Sequence, residues 1–117
     1  MTKTRYLFGF PFATIVIGSD EIECMIDTGF DGALMLPTRI VRKFGFQKTA
    51  TAECILADGT ISFTELFEAD IVWLEQKRKT RIIAMNTDFA LIGMKLLADA
   101  RTTLQPAQDI LTVEPIR

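Results

Sequence analysis

Asp27, Thr28 and Gly29, followed by Phe30, Asp31 and Gly32, concentrate this chain's capacity for chemistry. Asp27 ends the apolar run Cys24-Met25-Ile26, which reads as a buried strand. Burying a carboxylate's charge there is costly unless it is paired or hydrogen-bonded. Gly29 and Gly32 allow backbone conformations and close approaches that a Cβ would block. The segment therefore describes a carboxylate on a tight loop at the end of a hydrophobic element, with room for another backbone alongside. Such a group can take up or deliver a proton. Its plainer role is a turn in which Asp27 caps backbone N–H groups.

Composition removes most other chemistries. The chain has no histidine, which excludes Ser-His and Cys-His nucleophilic pairs, HExxH metalloproteases and His-containing zinc sites. Cys24 and Cys54 lack CxxC spacing and cannot make a four-ligand site, so no metal or other cofactor is expected. They read as buried structural thiols in a reducing compartment, with a disulfide between them the alternative. A net charge of −2, with acids and bases mixed along the chain, argues against nucleic acid as a partner. The basic cluster Lys77-Arg78-Lys79 reads as a solvated hairpin turn.

The elements that must position Asp27 fit one domain spanning all 117 residues. A hydrophobic fraction of 49% implies either a large core or an apolar face turned to a partner chain. Tyr6 to Gly18, preceded by Lys3 and Arg5, loosely imitates a signal peptide. It is rich in β-branched and aromatic residues, is interrupted by Pro11, and is too short to span a bilayer. It reads as strand, and the protein as cytoplasmic with no membrane partner. Tyr6 to Ile17 is a strand pair or one bent strand, closed by Gly18-Ser19-Asp20. Ile22 to Ile26 leads into Asp27, and Ala33 to Leu36 is apolar again. Pro37 opens a short helix with Ile40, Val41 and Phe44 on one face and Gly45 as a left-handed cap. Thr49–Ala57 and Thr60–Phe67 are expected to pair through a type I′ turn at Asp58-Gly59. Glu68–Leu74 and Thr80–Met85 form a further hairpin around the charged cluster. Ala90–Ile92 is a buried strand, Gly93 a break, and Met94–Ala98 a helical turn or two. Ile110–Val113 alternates like a strand that pairs with something. The fold class is all-β, a closed barrel with one or two short helices.

Three blocks together resemble the retropepsin-like aspartic peptidases, in particular their small single-domain bacterial type. The first is Met25 to Gly32 with Leu34-Met35-Leu36-Pro37 following; the second is the Asp58-Gly59 hairpin; the third is Ala90-Leu91-Ile92-Gly93-Met94-Lys95-Leu96-Leu97. The resemblance covers nearly the whole chain and implies an acid-protease-like barrel. It implies that Asp27 is the catalytic aspartate and that Thr28 hydrogen-bonds across a dimer beneath two carboxylates. Gly29 would lie along the substrate main chain, and Asp31 would receive substrate backbone groups. Phe30 and Gly32 would border the substrate, and Asp58 and Gly59 would tip a mobile flap. Gly93 would permit tight packing behind the site.

The mechanism so implied needs two aspartates, and the chain contains a single Asp-Thr-Gly. A homodimer that places Asp27 opposite its own copy completes the pair, since a two-fold axis brings any residue near it against itself. Tyr6–Phe12 and Ile110–Val113 are candidates for pairing across that interface, with pairing inside the chain the alternative. Several positions depart from the family's pattern. Lys95 stands where an acid is common, and Met94 where viral members have arginine, so the ion pair those residues make is absent. Phe30 is bulkier than the usual small residue, and Gly32 replaces a second acid. The expected activity is hydrolysis of peptide or protein substrates. The alternatives are a non-catalytic binding or scaffolding module, and a β-barrel interaction protein in which Asp27 is a structural cap.

Overall fold

The computed structural model describes residues 2–55 and 57–116, apart from the side chain of Cys54. Most of them lie in strands: β1 (Thr4–Leu7), β2 (Phe10–Ile17), β3 (Asp20–Ile26), β4 (Leu34–Pro37), β5 (Gln47–Ile55), β6 (Ile61–Trp73), β7 (Gln76–Met85), β8 (Ala90–Ile92), β9 (Ala100–Gln105) and β10 (Ile110–Pro115). Two short helices interrupt them, α1 (Thr38–Phe44) and α2 (Met94–Leu97). No described helix is long and apolar enough to cross a membrane.

Eight strands form one sheet in the order β1-β2-β3-β8-β4-β7-β6-β5, and β9 and β10 form a separate pair. A further bridge between Val16 and Val72 joins β2 to β6. The sheet thus curls on itself but meets at one bridge, short of the fully closed barrel that strand spacing suggests. Alternation explains the curl. Ala13, Ile15, Ile17, Cys24, Ile26, Leu34, Leu36, Ile71, Ile82, Ala90 and Ile92 all turn inward and are buried in one cluster. Trp73 is buried with them, and its indole N–H donates to the Leu96 carbonyl at 2.9 Å, which ties β6 to α2. Cys24 is a buried thiol, and burial pushes its pKa up and keeps it protonated. Whether it ever bonds to Cys54 falls outside the described residues.

The hairpins correct two expectations. Ile55 pairs with Ile61, so more than a two-residue turn joins the two strands. Asp58 does not take the positive φ that a type I′ turn needs. Its carboxylate instead accepts the Thr60 backbone N–H at 3.0 Å and the Thr60 hydroxyl at 2.7 Å. This local bonding draws Thr60 into the turn. The two-residue turn is at Leu74-Glu75, with φ 51° and 67°, between the paired residues Trp73 and Gln76. Lys77, Arg78 and Lys79 consequently lie in β7, not in a turn. Helix α1 ends as its sequence predicts: Gly45 is left-handed, and its N–H donates to the Val41 carbonyl at 3.0 Å.

Tyr6–Ile17 is a strand pair, turning at Phe8-Gly9. β10 pairs within the chain, with β9. The strand β9 has no counterpart in the sequence reading, because Ala100-Arg101-Thr102-Thr103-Leu104-Gln105 carries little hydrophobic alternation.

Candidate active site

β3 and β4 are not neighbours. β8 lies between them, parallel to β3 (Met25 beside Leu91) and antiparallel to β4 (Met35 beside Leu91). The connection from Asp27 to Ala33 must therefore cross the end of β8 where the chain turns into α2. At that crossing the Asp27 N–H donates to the Ile92 carbonyl at 2.9 Å, and the Gly93 N–H to the Ala33 carbonyl at 2.9 Å. The N–H groups of Met94 and Lys95 donate to the carbonyls of Phe30 and Gly32 at 2.8 and 3.1 Å. The first amides of α2, which no helix can satisfy internally, thus hold the Asp27 loop in place.

Gly93 is required at the crossing. A Cβ there would overlap the Gly32 carbonyl oxygen and come within 2.8 Å of the Phe30 carbonyl oxygen. The Phe30 ring folds back over both glycines; a Cβ on Gly32 would lie 2.6 Å from its Cζ. Its bulk is accommodated because two side chains are missing beneath it. The ring packs against the loop itself, beside Gly32 and Gly93.

Asp27 is half-buried, and its Oδ1 accepts the Gly29 N–H at 2.9 Å. A Cβ on Gly29 would sit 3.3 Å from that oxygen, so the turn leaves little room for a side chain. The Phe30 N–H donates to the Asp27 carbonyl at 3.2 Å and closes the turn. Thr28, Gly29 and Asp31 are exposed. Thr28 makes no side-chain hydrogen bond to any described residue, and its hydroxyl is available. Thus Asp27 through Gly32 share one loop with Gly93 behind it. Asp58 and Gly59 lie apart from it, near the tip of the β5–β6 hairpin, and among the described residues no hydrogen bond joins the two regions. Asp58 is fully solvated and its carboxyl is held below the ordinary range by the Thr60 hydroxyl.

The sequence reading overlooked a row of residues beside Asp27. Phe12, Met25, Leu91 and Met35 are successive cross-strand partners, so their side chains share the sheet face away from the core. Phe10, Met25, Asp27 and Phe89 extend that face by the two-residue period. Phe12 and Phe89 are in ring contact, with centroids 6.1 Å apart. By the register that sets Phe12 beside Met25 and Met25 beside Leu91, Phe10, 52% exposed, comes level with Asp27, whereas Phe89, 42% exposed, comes level with Glu23, four residues back along the strand. The alternation Phe10-x-Phe12, Met25-x-Asp27 and Phe89-x-Leu91 was the available signal.

A sheet in which a glycine-rich aspartate loop crosses the end of an inserted strand defines the retropepsin-like fold, and this chain has it. The chain superposes on a retropepsin-like aspartic protease from Rickettsia conorii with a TM-score of 0.71 and 19% identity, covering 97% of this chain and 88% of that one. It also superposes on the EIAV protease complexed with the inhibitor HBY-793, with a TM-score of 0.62 and 20% identity, covering 83% of this chain and 93% of the other. No protein-family model matches the sequence, and no curated protein does.

Proposed function

We propose that the chain is an aspartic endopeptidase whose site is completed by a second copy. The observation that carries this reading is the fastening of Asp27: its backbone is bound to β8 while Thr28, Gly29 and Asp31 remain exposed. A loop so firmly held, with its polar groups unused, is what a preorganised half-site requires.

Two Asp27 carboxylates a few ångströms apart cannot both ionise cheaply, so the pair holds one proton. The ionised member takes a proton from water, and the resulting hydroxide attacks the scissile carbonyl carbon. The protonated member gives its proton to the carbonyl oxygen. The tetrahedral species then collapses and the C–N bond breaks: the leaving nitrogen receives a proton from one aspartate while the other takes a proton from a hydroxyl of the tetrahedral species, so the pair again holds one proton. Each Thr28 hydroxyl would bridge to the partner beneath the carboxylates. Gly29 and Asp31 would meet the substrate main chain, with Phe30 and Gly32 shaping the loop beneath it. Asp58 and Gly59 would close over the substrate from the hairpin tip. Phe10 and Met25 would accept a large apolar side chain next to the scissile bond.

The test is cleavage of an unbiased peptide mixture from acid to neutral pH by wild type and Asp27→Asn. Wild type should show pepstatin-sensitive cleavage with apolar residues at the cut, and Asp27→Asn should lose at least about a thousandfold. A folded, dimeric wild type without such cleavage at any pH would exclude the reading.

A further inference from the structure

Between α1 and β6 the packing is incomplete. Val41 of α1 enters the core, and so do Ile71 and Trp73 of β6. By the two-residue period, Phe67, Glu65 and Phe63 continue that face of β6 as the strand leaves the core. Ala84, two residues past the core residue Ile82, shares the same face of the sheet. Thr38, Val41, Arg42 and Gly45 are spaced three or four positions apart, which puts them on one face of α1 and its cap. The helix face and the sheet face bound a hollow of about 300 Å³, which Phe46 also lines.

The hollow is aromatic and carries two opposite charges. Phe46, Phe63 and Phe67 line it, and Phe63 is 69% exposed. Phe44 stacks behind Phe46, with centroids 5.5 Å apart, and steadies its ring. Arg42 and Glu65 line the same hollow without pairing with each other. Among the described residues Arg42 has no acidic partner, and Glu65 reaches Lys48 at 3.9 Å, where both side chains are exposed. A surface contact of that kind is weak. A few charged groups around an apolar hollow are what orients a small ligand.

We propose that this hollow binds a free aromatic amino acid. The ring lies among the three phenylalanines, the carboxylate meets the Arg42 guanidinium, and the ammonium meets the Glu65 carboxylate. An aromatic acid without the amine would be repelled by Glu65, and an aromatic amine without the acid by Arg42. The zwitterion satisfies both. The volume equals that of about ten waters in the liquid, which suits one ring with its amino-acid backbone. The site shares no residue with the Asp27 loop or α2 and does not depend on the peptidase reading. β6 begins just after Asp58-Gly59 and passes through the hollow. A ligand held by Arg42 and Glu65 therefore ties the base of that hairpin to α1.

Titration calorimetry of the full chain with L-phenylalanine tests this, with amide chemical shifts to place the ligand. Binding should be roughly millimolar, as suits so small a ligand. Shift changes should centre on residues 41–46 and 63–67. 3-Phenylpropanoate and 2-phenylethylamine, each lacking one charge, and L-alanine, lacking the ring, should all bind about fivefold or more weakly. Arg42→Gln, Glu65→Gln and Phe63→Ala change exposed side chains, and circular dichroism would confirm their folding. Each should weaken L-phenylalanine by about fivefold or more. Asp27→Asn should bind it as wild type does, whether or not wild type cleaves peptides. No binding to folded wild type at about 20 mM, shift changes centred elsewhere, equal binding of 3-phenylpropanoate, or unchanged affinity in either charge variant would each overturn the proposal.

Discussion

Asp27 owes its position to backbone bonds and only one side-chain bond, which separates its chemical role from its structural one. Asp27→Asn keeps the Oδ1 acceptor for the Gly29 N–H. It should therefore change stability by less than about 1 kcal/mol while abolishing cleavage, which urea denaturation alongside the peptide assay would show. A structural cap alone would leave no activity to lose. Gly93 behaves in the opposite way. Gly93→Ala forces a Cβ into the Gly32 and Phe30 carbonyl oxygens. It should cost about 3 kcal/mol, near the upper end for overpacking, and lower the thermal midpoint measurably. Both residues could be singled out in the sequence because their types were out of place: an acid after an apolar run, and a glycine splitting one. The ring of Phe30 could not be placed, since its direction depends on the absence of two Cβ atoms, one of them far away in sequence.

At the scale of elements, the position of the loop is inherited from α2, and that of α2 from the core. Trp73 is fully buried, and its N–H is bound to Leu96. Trp73→Phe removes the donor and leaves the carbonyl unpaired, which should cost about 1–3 kcal/mol in chemical denaturation. Two ion pairs also cross between elements. Arg5 donates from Nε and Nη2 to Glu23 of β3 at 2.6 and 2.8 Å, spanning β2, and Arg78 of β7 donates to Asp99 at 2.9 Å. The hydrogen bond from each arginine holds the partner carboxyl below its ordinary range. The folded-state values lie below the unfolded ones. Their contribution is therefore complete above about pH 4.5 and is lost as pH falls through the lowered values. Solvent screening keeps it small. Denaturation midpoints between pH 5 and pH 3 should fall less for Arg5→Gln than for wild type. Ala90–Ile92 was legible to the residue and β4 to within one, but β6 is a single strand where Thr60–Phe67 and Glu68–Leu74 were expected as two, and β7 begins at Gln76 rather than Thr80. β9, with its run of threonines, was not legible, and turn positions depended on bonds such as Asp58 to Thr60 that no dipeptide rule includes.

For the molecule as a whole, the proposed two-copy site would make activity a property of association. Specific activity should rise with protein concentration until the dimer forms, and progress curves over a dilution series would show it. The single Asp-Thr-Gly in the sequence is what suggests a second copy; the neighbour of β10 was not legible, because its hydrophobic pattern marks it as a strand without saying that it pairs with β9.

The insertion of β8 between β3 and β4 has a consequence for the protein's synthesis. The Asp27 loop is made early, yet the amides that clamp it belong to Gly93, Met94 and Lys95. A chain still on the ribosome with only its first two-thirds exposed has no strand between β3 and β4 and nothing beneath the loop. Until the final quarter emerges, the nascent polypeptide carries Asp27 on a loop whose clamping amides have not yet been made.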